Sequence, residues 1–375
     1  MAISTRLLDE IYARRSRGKT TLLMEFSFVL IAILFLTMNH SRELGGILYL
    51  LIFISSFALS LVLTDVVRRA MLHLGVLDQP SEARWHHQPV ALLGGIAIFI
   101  SFILVSLLGV HLNREVFVML LGGGVIFALG LLDDIFGTHP RVKLAVQTLV
   151  ASGVAYFGVS SKILPYNWMN ISLTVFWIVG ITNALNLLDN MDGLSSGVTT
   201  IAAFVILALS LYKGHPGVAL LCLALAGSCL GFLRYNFKPA KIFMGDCGSL
   251  FLGYMLATLA ILGGWQHHSP VVASLLSPIL ILGVLVFDTT LVTILRFAHR
   301  RMPWEGGKDH SSHRLVHILS GSEKGAVLIL YGMGVLAGGL GLAAARFSSL
   351  VAILIMAAFA LGMVVLGIRL ARVEC

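Results

Sequence analysis

Charge is what this sequence has least of. Only 12% of its 375 residues are Asp, Glu, Lys or Arg, while 58% are hydrophobic. A soluble domain carries about 25% charged residues, so the shortage excludes a water-soluble globular protein and places the chain in a membrane. Cysteine is also scarce. Cys222, Cys229, Cys247 and Cys375 form no Cys-x-x-Cys pair and no zinc spacing, which argues against a disulfide framework and a thiolate metal site. Proline is rare within the apolar runs. The net charge of +8 would suggest nucleic acid if the basic residues clustered on a folded face. They lie between apolar runs instead, the pattern of membrane topology, so no nucleic acid is expected.

What is there is a series of apolar runs, each about 17–25 residues long. Twelve are expected as transmembrane helices, at 21–38, 44–64, 91–110, 116–132, 143–159, 170–187, 195–212, 217–234, 247–265, 270–296, 324–343 and 347–368. The first follows five basic residues, as a signal peptide would, but "TMNHSR" offers no small-residue cleavage site, so a retained helix is expected. "GGG" at 122–124 is expected to permit close helix packing. The fold class is thus all-α, a polytopic integral membrane protein of about 12 spans. A segment 1–20 precedes a single multi-pass domain over 21–368, and 369–375 form a tail.

Twelve spans put both termini on one side. With the termini inside, 21 of the 26 Lys and Arg fall in inner segments; the outer loops keep Arg42, Arg114, Lys162, Lys213 and Arg346. The positive-inside rule therefore makes both termini cytoplasmic. Acids add something that rule does not require. None of the ten Asp residues falls in an outer loop. Asp133, Asp134, Asp189, Asp192, Asp246 and Asp309 lie in four inner loops or their edges, and Asp65 and Asp288 near the inner ends of helices. Together they suggest one cytoplasmic-face site assembled from several loops.

Four stretches carry the chemistry. "LLDDIFGTHPRVKLAVQ" (131–147) places Asp133 and Asp134 at the inner end of one helix and Lys143 at the start of the next. Paired carboxylates suit divalent-cation binding or nucleophile activation, and equally a solvated helix end. "NALNLLDNMDGLSSG" (183–197) sets Asn183, Asn186 and Asn190 on one helical face, followed by Asp189 and Asp192. A capped helix end needs one such residue and five are present, although an Asp at the bilayer centre costs roughly 2.5–3.5 kcal/mol.

"RYNFKPAKIFMGDCGSL" (234–250) opens a helix on Gly-Asp-Cys-Gly-Ser, so backbone amides and a hydroxyl face an anion or its metal. Asp246 is the natural ligand there, Phe243 offers a face for a base, and Asn236 a paired donor and acceptor for its edge. Phe243 also suits an ordinary interfacial aromatic. "RFAHRRMPWEGGKDHSSHRLVHILSG" (296–321) is the largest basic loop, with His310, His313 and Arg314. No third metal ligand stands at metal spacing within it, so a phosphate clamp fits better than a metal site. His86 and His87 in "RWHHQPVALLGG" (84–95) either touch phosphate or lie exposed.

In this order the stretches resemble the polyprenyl-phosphate N-acetylhexosamine-1-phosphate transferases, over about residues 65–320. That superfamily includes the WecA/TagO-type enzymes and the phospho-MurNAc-pentapeptide translocase. The resemblance implies transfer of a sugar 1-phosphate, GlcNAc-1-phosphate first, from a UDP-sugar to a polyprenyl phosphate with loss of UMP. This is a first membrane step of cell-envelope glycan synthesis. It implies Mg²⁺, with Mn²⁺ as the alternative, at the cytoplasmic face of the plasma membrane. Asp133, Asp134, Asp189 and Asp192 are then catalytic and Asp246 the metal ligand. Lys143, Asn186, Asn236, Phe243, His310, His313 and Arg314 are then substrate-binding.

Three stretches depart from the family pattern. Asn190 stands where the family often has Gly, and "HSSHR" replaces the triple histidine of the translocase; "VALLGG" also replaces its Pro-Thr-Met-Gly-Gly. The last two favour the WecA/TagO-like branch. Transfer of phospho-MurNAc-pentapeptide and, in another class, secondary transport stay open as alternatives. The partners expected are the UDP-sugar, the polyprenyl phosphate and the bilayer, with a homodimer left open.

Overall fold

In hydrocarbon every backbone N–H and C=O must find its partner within the chain, and helices do this locally. The computed structural model describes residues 45–79, 88–265, 271–302, 307 and 309–373, and helices dominate them. In chain order they are α1 (Gly45–Leu74), α2 (Gly95–Gly109), α3 (Arg114–Phe136), α4 (Pro140–Tyr156), α5 (Asn167–Leu188), α6 (Leu194–Tyr212) and α7 (Pro216–Asn236). Then follow α8 (Asp246–Gly264), α9 (Val271–Ile281), α10 (Gly283–Ala298), α11 (Ser311–Ile318), α12 (Glu323–Arg346) and α13 (Ser349–Ala371). The expected helix at 21–38, His86, His87, Lys308 and Cys375 lie outside the described residues.

Among the described residues eight helices are long and apolar enough to cross a membrane singly. The protein is therefore an all-α, multi-pass membrane protein, and the expected count of twelve is not reached by this measure. The differences have physical causes. The run expected at 270–296 is broken at Leu282 into α9 and α10, which bend by 73°; counted as one span they make nine. Pro278 and Gly283 flank the bend. α2 is apolar but has only 15 residues, about 22 Å of helix against a hydrocarbon core of about 30 Å. α4 carries Arg141, Lys143 and Gln147 in its first turns.

α8 is the centre of the fold. Its 18-residue apolar window is buried throughout, as a helix that is hydrophobic on all sides must be. α3 reaches it through Gly122 and Gly123, where an added Cβ would meet the Tyr254 hydroxyl at 2.3 Å and Met255 Sδ at 3.2 Å, while Gly124 faces open space. α7 approaches α1 through Gly227 and Gly231, four residues apart; a Cβ on either would lie within 2.6 Å of an α1 backbone oxygen. Ser60 Oγ of α1 donates to Ser228 O across the same seam (2.6 Å). α13, by contrast, is largely exposed, its apolar face left for lipid.

A short ladder positions the loop before α8. β1 (Leu77–Asp78) pairs antiparallel with β2 (Val90–Ala91), and Ala91 bridges in parallel to Ile242. Phe243 N donates to Ala91 O, Gly94 N to Phe243 O and Gly95 N to Met244 O, each at 2.8 Å. Residues 242–244 thus run as a strand into the start of α8. At the far end of the bundle Lys162 pairs with Glu115 (3.7 Å), and Lys213 Nζ donates to Gly264 O (3.0 Å).

Candidate active site

α8 begins at Asp246, so the most buried helix points its free N–H groups at the end of the bundle where the Asp-rich segments meet. Asp134, in the last turn of α3, accepts from Asp246 N (2.8 Å) and Cys247 N (2.9 Å). A carboxylate on a helix N-terminus satisfies two of those donors and opposes the dipole. Gly245 lets it come close: its φ is +78° and a Cβ would sit 2.7 Å from Asp134 Oδ2. Asp133 accepts from Thr138 N (2.6 Å) and from Lys143 Nζ (2.7 Å), and the same ammonium reaches Asp246 Oδ2 (3.1 Å). Asn186 Nδ2 donates to Asp246 Oδ1 (3.0 Å) and lies 2.9 Å from Ser249 Oγ.

A cavity of about 570 Å³ opens over this cluster, lined by Asp134, Asn186, Asp189, Asn190, Asp192, Asn236, Phe243, Asp246 and His313. Asp189 follows α5 directly and accepts from Ser195 Oγ (2.8 Å). Burial pushes its carboxyl up to about 7; Asp246, Asp134 and Asp192 push the same way, and the Ser195 bond opposes them. Asp192 accepts from Ala240 N (2.9 Å), with Lys238 Nζ at 3.8 Å. Lys238 also pairs with Glu323 at the start of α12.

Several expected roles change with the geometry. Asn236 lines the cavity, but its Oδ1 accepts from Gly193 N (3.0 Å) and its Nδ2 donates to Ile242 O (3.0 Å). It ties the Gly193 turn to the segment that carries Phe243, which also lines the cavity. His310 is buried, with Nδ1 2.9 Å from Asp288 Oδ2 and Nε2 3.5 Å from the Arg296 guanidinium. The Arg314 guanidinium is turned away from the cavity. It donates to Asp309 O (3.1 Å), Leu370 O (3.0 Å) and Val373 O (2.6 Å), capping the C-terminus of α13. Of the three residues expected to form a phosphate clamp, His313 alone lines the cavity, while His310 and Arg314 hold its helix. Asp134 is likewise committed to the α8 amides.

Sequence reasoning missed Ser195, whose partner Asp189 lies six residues before it, and Ser249 and Lys238, whose partners lie in other segments. Asp288 is fully buried in α10 and receives Ser311 N (2.8 Å) and Ser311 Oγ (2.6 Å) as well as His310. An acid inside an apolar helix was the available signal.

The donor set suits a hard cation without forming a cage. Among the described residues no three His, Cys, Asp or Glu side chains are grouped as a metal site. Mg²⁺ needs no such group, because it keeps waters and takes one or two carboxylates plus substrate phosphates. The carboxylates of Asp192 and Asp246 on one cavity wall are a fitting environment for one.

Comparison with known proteins agrees with this arrangement. Glycosyl transferase family 4 matches residues 116–264, from α3 to the end of α8. The chain is 37% identical over 292 residues to a probable undecaprenyl-phosphate N-acetylglucosaminyl 1-phosphate transferase of Bacillus subtilis, covering 75% of this chain and 81% of that protein. It is 31% identical over 313 residues to the decaprenyl-phosphate N-acetylglucosaminephosphotransferase of Mycolicibacterium smegmatis, covering 74% and 77%. A phospho-N-acetylmuramoyl-pentapeptide-transferase of Bacillus thuringiensis is 31% identical over 316 residues, covering 77% and 94%. With the acids of the matched region gathered around one cavity, the chain belongs to the polyprenyl-phosphate N-acetylhexosamine-1-phosphate transferase family, within glycosyl transferase family 4.

Proposed function

We propose that the protein transfers N-acetylglucosamine 1-phosphate from its UDP-sugar to a polyprenyl phosphate, releasing UMP and leaving the polyprenyl-diphosphate sugar. The observation that carries this reading is the convergence of Asp134, Asp189, Asp192 and Asp246 on one cavity beside Lys143, at the end of a membrane bundle. The higher identity to the N-acetylglucosaminyl relative than to the pentapeptide transferase favours the sugar.

The reaction joins two polyanions. An oxygen of the lipid phosphate attacks the sugar-bearing phosphorus, and the bond from that phosphorus to the UMP oxygen breaks. Positioning and charge neutralisation do most of the work in such transfers. Asp246, with Asp192 on the same cavity, would hold Mg²⁺ or Mn²⁺, which would supply charge for the crowded phosphates. Lys143, already between Asp133 and Asp246, is placed to receive the lipid phosphate. Asp189 titrates near neutrality, so the role of base moves to it from Asp133 or Asp134, whose oxygens are engaged. Phe243 stacks the uracil, and His313 donates to phosphate oxygens as UMP leaves.

The site faces the cytoplasm, where UDP-sugars are made; the basic residues of its loops support this orientation. The test is UMP release by detergent-solubilised protein given polyprenyl phosphate and a panel of UDP-sugars. Release from UDP-GlcNAc is expected. Release from UDP-MurNAc-pentapeptide alone would move the protein to the other branch, and no release from any donor would leave transport as the better reading.

A further inference from the structure

Asn190 and the "HSSHR" stretch, two of the three departures from the family pattern, touch each other. Ser312, fully buried, donates from Oγ to Asn190 Oδ1 at 2.6 Å, across 122 residues of chain. Asn190 Nδ2 donates to Leu187 O (3.0 Å), which fixes the amide with its oxygen toward the serine. A glycine at 190 would have no side chain to make this bond.

The bond lies at a mechanically useful point. His310 and Ser311 fasten the start of α11 to Asp288 of α10, and Arg314 fastens it to the end of α13. These anchors set α11 against other helices. Ser312 anchors it instead to the turn that carries Asp189 and Asp192. His313 is the next residue, and it shares the cavity wall with Asn190. We propose that Asn190 and Ser312 are a positioning pair, whose hydrogen bond holds His313 in register with Asp189 and Asp192 across the substrate cavity. Neither side chain needs to touch substrate. This rests on the transferase reading for its consequence in turnover, though not for its mechanics.

A double-mutant cycle tests it. Asn190→Ala and Ser312→Ala should each lower kcat for UMP release by about tenfold, with KM for the UDP-sugar changed by less than about threefold. The double variant should be no slower than the slower single, because one bond is lost in all three. Hydrogen exchange of the Ser311–Ile318 segment should rise in each single variant and rise no further in the double. Exchange needs no activity, so it separates the two readings. If the wild type releases no UMP while the exchange pattern holds, the transferase reading fails and the latch stands. Multiplicative losses of about a hundredfold in the double variant, or unchanged exchange in both singles, would overturn the latch. Should alanine at 312 disturb packing, Ser312→Thr keeps the hydroxyl and is expected to retain protection and kcat.

Discussion

Gly130→Ala puts the placement of Asp246 to a direct test. A Cβ at 130 would lie 2.5 Å from the carbonyl oxygen of Asp246, 2.6 Å from its carbonyl carbon and 2.6 Å from Cys247 Cα. Carbon contacts are comfortable at about 3.5–4.0 Å, so α3 and the start of α8 must part by roughly 1 Å. All three atoms are backbone, and no rotamer change makes room. Asp134 lies one turn further along α3, so the same movement stretches its bonds to the α8 amides. Overpacking of this kind costs about 1–3 kcal/mol of stability. A displacement near 1 Å at the reacting groups is expected to lower kcat on the order of a hundredfold. Gly124→Ala, in the same helix with nothing within 4 Å, is the control. It should keep full activity and gain up to about 1 kcal/mol from helix propensity. UMP release and thermal midpoints in detergent read both variants. Turnover by Gly130→Ala within about threefold of Gly124→Ala would show that this contact does not position Asp246 for the reaction.

The other expectations are read by similar measurements. With Asp189 held near 7, kcat/KM should climb between pH 6 and 8 as its ionised fraction rises from about one tenth to about nine tenths, and a flat profile there would remove it as the base. Raising the folded-state value also means that ionising Asp189 costs stability. The wild-type midpoint should therefore fall, relative to Asp189→Asn, as pH rises from the ordinary carboxylate range to about 7, and not beyond. Arg314→Ala should lower stability by about 2 kcal/mol through its lost carbonyl bonds. Its KM for the UDP-sugar should stay within about twofold, and a large rise in KM alone would restore the phosphate clamp. In a background lacking Cys375, single cysteines beside Arg114 or Lys213 should label from outside and one beside Arg141 should not; Cys222, Cys229 and Cys247 are buried and should stay silent. Reversed labelling would put the acids away from cytosolic UDP-sugars.

Hydropathy carried most of the architecture, because a helix in lipid needs only a long enough apolar run to be recognised. Eleven of the expected runs have helices at nearly their expected places. The break at Leu282 and the eight-residue α11 were invisible for the converse reason: one interrupts an unbroken apolar run, and the other is too polar and short to register.

The site shows a different limit. A polar side chain at a membrane helix end must have a partner, since burying it alone costs several kcal/mol on the order of a lost charged hydrogen bond. That cost marks the residue but not the partner. Asp189, Phe243 and His313 line the cavity, Asp134 and Asn236 line it with their polar atoms bonded to backbone, and His310 and Arg314 meet the protein itself. In the sequence these groups look alike. Asp134 and Asp246 are 112 positions apart, Asn190 and Ser312 are 122 apart, and no local spacing encodes either meeting. What distinguishes a residue that binds substrate from one that holds the site open is which groups arrive opposite it when the helices pack.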